Sequence, residues 1–239
     1  MSAAPEGPVL ALDTSTAVGS VAVGEGDRLL AETVLRVGAG HSSAILPAIA
    51  AALRSAGCAP RDLAAVVVAG GPGSFTGVRI GAATAKGIVH ATGAPLFAYS
   101  GLLAAAGACW GADRPVCALF DARKRDVYAA CYRFGAGVEE MWGPEALTID
   151  ALLERFRGGE PVLFTGEGAV LHREEIEREA GARTVPAHLA HPRASALLAL
   201  LRAAPETGRV EDAARWEPEY VRAAGAERIA AAAAAGGAA

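Results

Sequence analysis

Val9-Leu-Ala-Leu-Asp13 and Pro115-Val-Cys-Ala-Leu-Phe-Asp121 are the two stretches on which the fold turns. Each is a continuous apolar run ending in a carboxylate, the pattern of a central strand buried on both faces. Asp121 follows Asp13 by 108 residues, and what comes after each run is also alike. Behind Asp13, Thr14-Ser15-Thr16 makes a polar turn and Ser20-Val-Ala-Val23 returns as a second strand. Gly24-Glu-Gly-Asp27 turns again, and Leu29 to Val37 is a third strand, completing an antiparallel meander. Behind Asp121, Val127 to Phe134 and Val138 to Trp142 repeat that meander.

The period then changes to that of helices. Ser42 or Ser43 can cap a helix whose ladder is Ile45, Ile49 and Leu53, stopped by Gly57. Pro47 requires this helix to start close before it or to bend there. A buried strand at Ala65 to Ala69 leads into Gly70-Gly-Pro-Gly-Ser-Phe-Thr-Gly77, and a helix runs from about Val78 to His90. Gly77, Gly81 and Ala85 give that helix one small face that a second helix can approach closely. A strand at Pro95 to Tyr99 and a Ser100-capped helix reaching about Cys109 close the first half. In the second half, a helix at Ile149 to Phe156 precedes a strand at Val162 to Thr165, with helices near Val170 to Ala180 and Ala194 to Ala203. A β-β-β-α-β-α plan thus occurs twice. The expected architecture is α/β with two lobes, residues 8–110 and a diverged 111–222, followed by a low-complexity Ala/Gly tail at 223–239.

Composition narrows the function. At 52% hydrophobic the chain is no disordered protein, yet no run of about 18 uncharged apolar residues is present to span a membrane. The residues before Pro8 make no export signal, so a cytoplasmic location is expected. Cys58, Cys109, Cys117 and Cys131 form no CxxC pair and read as reduced, mostly buried thiols. The net charge of −4 argues against a sequence-independent grip on phosphate backbones.

Two strand-end aspartates facing one cleft suggest a nucleotide site. Asp13 and Asp121 could each hold a hydrated divalent ion beside phosphates, and Ser15 with its neighbouring hydroxyls could bind an anion. Equally, Asp13 could satisfy its own turn backbone. Gly73 and Ser74 lie in a glycine loop opening a helix, a setting that favours anions. It lacks the GK[ST] of a Walker loop and the spacing of a dinucleotide fingerprint. Phe75 in its middle is of no use to a phosphate, so docking surface, anion site and tight turn with Phe75 folded inward all fit. His188-x-x-His191 has no third metal ligand in view.

Leu10-Ala-Leu-Asp-Thr-Ser-Thr16, Gly71-Pro-Gly-Ser-Phe-Thr-Gly-Val-Arg-Ile-Gly81 and Asp121-Ala-Arg-Lys-Arg-Asp-Val-Tyr128, with the late Pro218-Glu-Tyr-Val-Arg222, resemble the TsaB (YeaZ) family of bacterial tRNA threonylcarbamoyladenosine biosynthesis proteins. The resemblance implies an ASKHA fold, the two-lobed plan of actin-like ATPases and RNase H-like proteins. It also implies a non-catalytic platform for threonylcarbamoyl transfer to the adenosine beside the anticodon of ANN-reading tRNAs. In that system a TsaD-like paralogue performs the transfer through metal-binding histidines in a His-x-x-x-His pair, a TsaE-like ATPase joins the pair, and homodimers also form. The helix at Ser100 to Cys109 carries no such histidines here, and Gly166-Glu-Gly168 splits the glycine pair an adenosine loop would need. The expectation is therefore a chain with no cofactor or catalytic residue of its own, meeting tRNA only indirectly. Asp13, Ser15, Gly73, Ser74 and Asp121 would then be vestiges of a nucleotide cleft. The family's partner contact uses the two first-lobe helices, which implies an interface at Ile45, Ile49, Phe75, Arg79, Ile80, Gly81 and Thr84. The rival expectation is a stand-alone small ATPase or kinase using Asp13 and Asp121.

Overall fold

The computed structural model describes residues 4–36, 40–179 and 181–221; the tail at 223–239 lies outside them. Ten strands form two five-stranded sheets. β1 (Pro8–Asp13), β2 (Val18–Glu25), β3 (Arg28–Arg36), β4 (Ala65–Ala69) and β5 (Leu96–Tyr99) make the first, in the order β3-β2-β1-β4-β5. β6 (Val116–Asp121), β7 (Asp126–Phe134), β8 (Val138–Thr148), β9 (Leu163–Thr165) and β10 (Arg183–Thr184) make the second, in the order β10-β9-β6-β7-β8. Renumbered from its own start, the second sheet has the order of the first. In both, the apolar run that ends in aspartate is the middle strand, antiparallel to the next strand in sequence and parallel to the fourth. Central position explains the composition, since β1 from Val9 onward and β6 up to Phe120 are buried on both faces.

Three helices start at a hydroxyl side-chain cap. α2 (Phe75–Thr92) begins three residues earlier than its apolar period suggests, because Ser74 caps it by accepting the Gly77 N–H. Gly93 ends it in the left-handed conformation, at φ 75°. Ser100 caps α3 (Gly101–Gly107), and Thr148 caps α4 (Ile149–Phe156) through the Ala151 N–H at 3.1 Å. α1 (His41–Ser55) departs from expectation. Its N-cap is Gly40 and no side chain caps it; Ser43 Oγ instead donates to the Gly40 carbonyl. The helix starts six residues before Pro47 and carries that proline inside it.

The second half is more broken than its periodicity suggests. The expected single helix from Val170 is two short ones, α5 (Glu167–Leu171) and α6 (Arg173–Glu177), divided at His172. β8 runs six residues past Trp142, α3 stops two residues before Cys109, and the two-residue β10 and α8 (Pro205–Gly208) were not foreseen.

Packing gives five layers. α1 and α2 cover the outer face of the first sheet, with Ile45, Ala48, Ile49 and Leu53 against Leu10, Leu12 and Val21. α4, α5 and α6 cover the outer face of the second. Between the sheets lie α3 and α7 (Ala194–Ala203), and these two are exchanged. α3 follows the first sheet in sequence but buries Leu102, Ala105 and Ala106 against β6 and β7. α7 follows the second sheet yet buries Ala194, Leu197 and Leu200 against β1, β2 and β4. Gly107 meets Ala196 where they touch. Their small side chains let the two helices share one layer.

Strands of the first sheet also cap α7. Ser20 Oγ accepts the Ala194 N–H at 2.9 Å. The Glu32 carboxylate accepts Ser195 N (3.2 Å), Ser195 Oγ (2.8 Å) and both arms of the Arg193 guanidinium. Burial works against the Glu32 charge, but the Arg193 and Ser195 hydrogen bonds hold its carboxyl below the usual range. Finally, residues 209–221 run as a strap over the first sheet's edge and loops. Val210 N bonds Leu96 O, Trp216 packs into the outer core, and Glu219 N bonds Gly70 O.

Candidate functional site: the interlobe cleft and the outer helix face

The turn after β1 is closed upon itself. Asp13, Thr14, Ser15 and Thr16 are all buried. The Asp13 carboxylate accepts the Ser15 N–H at 2.9 Å and the Ser15 hydroxyl at 2.9 and 3.1 Å. Thr14 Oγ1 donates to Gly77 O at 2.7 Å, Thr16 Oγ1 donates to Val18 O at 3.0 Å, and His41 Nε2 donates to Thr16 O at 2.7 Å. No hydroxyl of the turn is left for an anion.

The glycine loop lies directly on that turn. Ser74 N–H bonds Ser15 O at 2.7 Å. A Cβ on Gly73 would stand 2.3 Å from Ser15 O, and one on Gly77 would stand 2.0 Å from Thr14 O. Both clashes are with backbone, so only glycine fits. Gly71 is excluded from larger residues on its other side by Glu219 O of the strap, 2.3 Å from its would-be Cβ. The loop's glycines therefore face the protein's own backbone. Phe75 is not folded inward: it is 40% exposed, with the Arg79 guanidinium 3.8 Å above its ring and the Tyr220 ring 5.4 Å away. Tyr220 Oη accepts the Arg79 Nε–H at 3.1 Å.

The second-lobe turn is open. Asp121 is exposed and accepts the Arg123 N–H at 2.8 Å. Arg123, Lys124 and Arg125 all have positive φ, between 54° and 67°, and Arg125 pairs with Asp150 and Glu175. Across from Asp121, at the start of α5, sits a residue the sequence reading missed. Burial pushes the Glu167 carboxyl up, the Asp121 charge adds to this, and the Ala17 N–H of the first lobe partly offsets it. Burial likewise raises Asp13 from 3.8 to about 6; the Ser15 bonds oppose this and the Glu167 charge reinforces it. Glu167 is thus electrostatically coupled to both aspartates, although Asp13 is fully buried behind its Ser15 bonds and Asp121 is exposed. Its signal was in view, because Gly166-Glu-Gly168 was read for its divided glycines and not for the carboxylate dividing them. Among the described residues no three His, Cys, Asp or Glu side chains gather to hold a metal.

The outer helix face needs correction at three positions. Ile45 and Ile49 are buried in the core beneath α1, so the ladder expected to meet a partner meets the chain's own sheet. Gly81 is also buried; a Cβ there would stand 2.5 Å from Thr14 Oγ1. The small Gly77, Gly81 and Ala85 face thus packs inward on the β1 turn and β4, and a bulky residue at Gly81 would disturb the lobe itself. Phe75 and Arg79 are exposed on α2, and Ile80 and Thr84 half-buried. Of the apolar residues of α1, those that are exposed are Leu46 (58%), Pro47 and Ala50. Leu46 was missed because it follows Ile45 directly and so lies off the buried ladder by one helical step.

Comparison with known proteins places this geometry. A family model described as TsaD, tRNA N6-adenosine threonylcarbamoyltransferase, matches residues 36–230. The tRNA threonylcarbamoyladenosine biosynthesis protein TsaB of Bacillus subtilis (strain 168) is 35% identical over 233 residues, covering 92% of this chain and 96% of that protein. The crystal structure of YeaZ from Pseudomonas aeruginosa superposes with a TM-score of 0.74 at 27% identity, over 90% of this chain and 99% of that one. The ethanolamine utilization protein EutJ from Carboxydothermus hydrogenoformans shares the fold alone, at TM-score 0.52 and 16% identity, over 82% and 90% of the two chains. The two sheets of one topology make this an ASKHA-fold protein, and the family model and the Bacillus subtilis relative give it a role in tRNA threonylcarbamoyladenosine biosynthesis. Within that class the chain belongs to the TsaB (YeaZ) family.

Proposed function

We propose that this chain is a non-catalytic platform subunit for threonylcarbamoyl transfer, acting through a TsaD-like transferase paralogue that a TsaE-like ATPase joins. What supports this most is the occupied cleft. Every hydroxyl of the β1 turn is engaged within the protein, the glycine loop lies on the turn backbone, and Glu167 adds a carboxylate where a nucleotide's phosphates would be repelled. α3 carries no histidine. The rival ATPase or kinase would need those groups free. The partner surface is the outer face of α1 and α2, around the exposed Leu46, Phe75 and Arg79 with the half-buried Ile80 and Thr84 beside them. Transfer RNA is met through the partner, in keeping with the net charge of −4.

Co-expression with the organism's TsaD homologue tests this. A heterodimer should co-elute on sizing, and tRNA modification should require both chains. Leu46→Glu or Ile80→Glu should abolish the heterodimer with the thermal melt kept within a few degrees; a surviving heterodimer refutes this face. Mg-ATP turnover by the isolated chain, abolished by Asp13→Ala, refutes the platform reading.

A further inference from the structure

A group of sulfur atoms lies on the outer face of the second sheet, away from the cleft and from α1 and α2. Cys117 on β6 and Cys131 on β7 are direct partners across the antiparallel ladder. Residues so paired hold their Cβ atoms about 4.5–5.5 Å apart on one face of the sheet. Both cysteines are fully buried in the core beneath α4. Cys131 Sγ also donates to Met141 Sδ at 3.8 Å. Met141, on the edge strand β8, is 41% exposed, so its thioether connects the buried thiols with solvent.

Three sulfurs of this kind make a soft ligand set. Two sulfurs each about 2.3 Å from a metal in a trigonal plane stand about 4 Å apart, close to the separation Cys131 and Met141 already hold. With no three His, Cys, Asp or Glu side chains gathered among the described residues, nothing completes the tetrahedron zinc prefers. Thiolate and thioether ligands with low coordination number select copper(I).

We propose that Cys117, Cys131 and Met141 form a three-sulfur site for a soft monovalent cation, copper(I). Binding replaces two S–H bonds by two metal–thiolate bonds and one thioether contact. Two protons leave, no electron is transferred, and the product carries one negative charge. Two ion pairs lie nearby, Arg155–Glu145 toward Cys117 and Arg133–Glu160 toward Cys131, and in each the carboxylate opposes the field of its arginine. Because binding releases two protons, uptake tightens as pH rises. This site is independent of the platform role, and either can fail alone.

The test titrates the reduced full-length chain anaerobically with copper(I) held by bicinchoninate. One equivalent should leave the chelator, Cys131→Ser should lose it, and Met141→Leu should weaken it at least about tenfold. Met141→Leu fills similar space on an exposed edge strand and should melt like the parent, which separates ligation from folding. Three results overturn the proposal. The chelator keeps all its copper; the Cys117→Ser/Cys131→Ser double variant still takes one equivalent; or Met141→Leu binds as tightly as the parent.

Discussion

The turns after β1 and β6 hold the same place in two copies of one topology and have been put to opposite uses. The first is buried, hydrogen-bonded to saturation and roofed by glycines. The second is solvent-facing, basic and left-handed along three residues. A duplicated fold repeats the path of the backbone; whether a strand-end aspartate becomes a buried acceptor or a surface turn residue depends on what packs above it. Above Asp13 lie the glycine loop and Glu167. Above Asp121 there is mostly water.

Five changes would break or sharpen this contrast. Gly77→Ala puts a Cβ against the Thr14 carbonyl and should cost more than about 3 kcal/mol in chemical denaturation, if the chain folds at all. Gly135→Ala, with nothing within 4 Å of its Cβ, should stay within about 1 kcal/mol. Equal losses at the two would mean the roofed turn is not what makes the first lobe rigid.

The next concerns pH. Asp13 is raised from 3.8 to about 6, so its proton-linked stabilisation is fully present below about pH 4 and is lost as pH rises through about 6. Asp13→Asn should remove roughly 2–3 kcal/mol of that slope, read from urea midpoints between pH 4 and 7. A slope that survives unchanged would assign it to Glu167, whose carboxyl is raised as well.

Glu32 moves the other way. Its lowered carboxyl contributes stability above the ordinary carboxylate range, and that stability is lost as pH falls through its own value. Glu32→Gln should cost about 1–2 kcal/mol at pH 7 and progressively less as pH falls through that carboxyl's own value, a modest figure because Arg193 is partly exposed. Asp121→Asn is the smallest, within about 0.5 kcal/mol, since asparagine can accept the Arg123 N–H in the same turn. If it matched Asp13→Asn in size, the two turns would not differ as described.

Much of the fold was legible because it is written in local signals. Apolar runs ending in Asp13 and Asp121 marked the two middle strands. Ile149–Phe156 and Ala194–Ala203 were both placed to the residue. The ladder Ile45, Ile49, Leu53 was correctly seen as one face of a helix. Which neighbour that face meets is a tertiary fact, and the assignment to a partner was wrong for that reason. The exchange of α3 and α7 was hidden by the same rule, since amphipathicity says what is buried and not against which sheet. The two-residue β10 carries too little pattern to be found. Glu167 escaped because its role depends on Ala17 and Asp121, remote in sequence.

The exchange of the inner helices has one more consequence. Cut between α3 and β6, the chain would yield a front half holding a helix whose seat has gone, and a back half holding the missing plug of the other. The two repeats are thus clasped like the halves of a buckle. They can be inherited, expressed or degraded only together, whatever gave rise to the doubling in the first place.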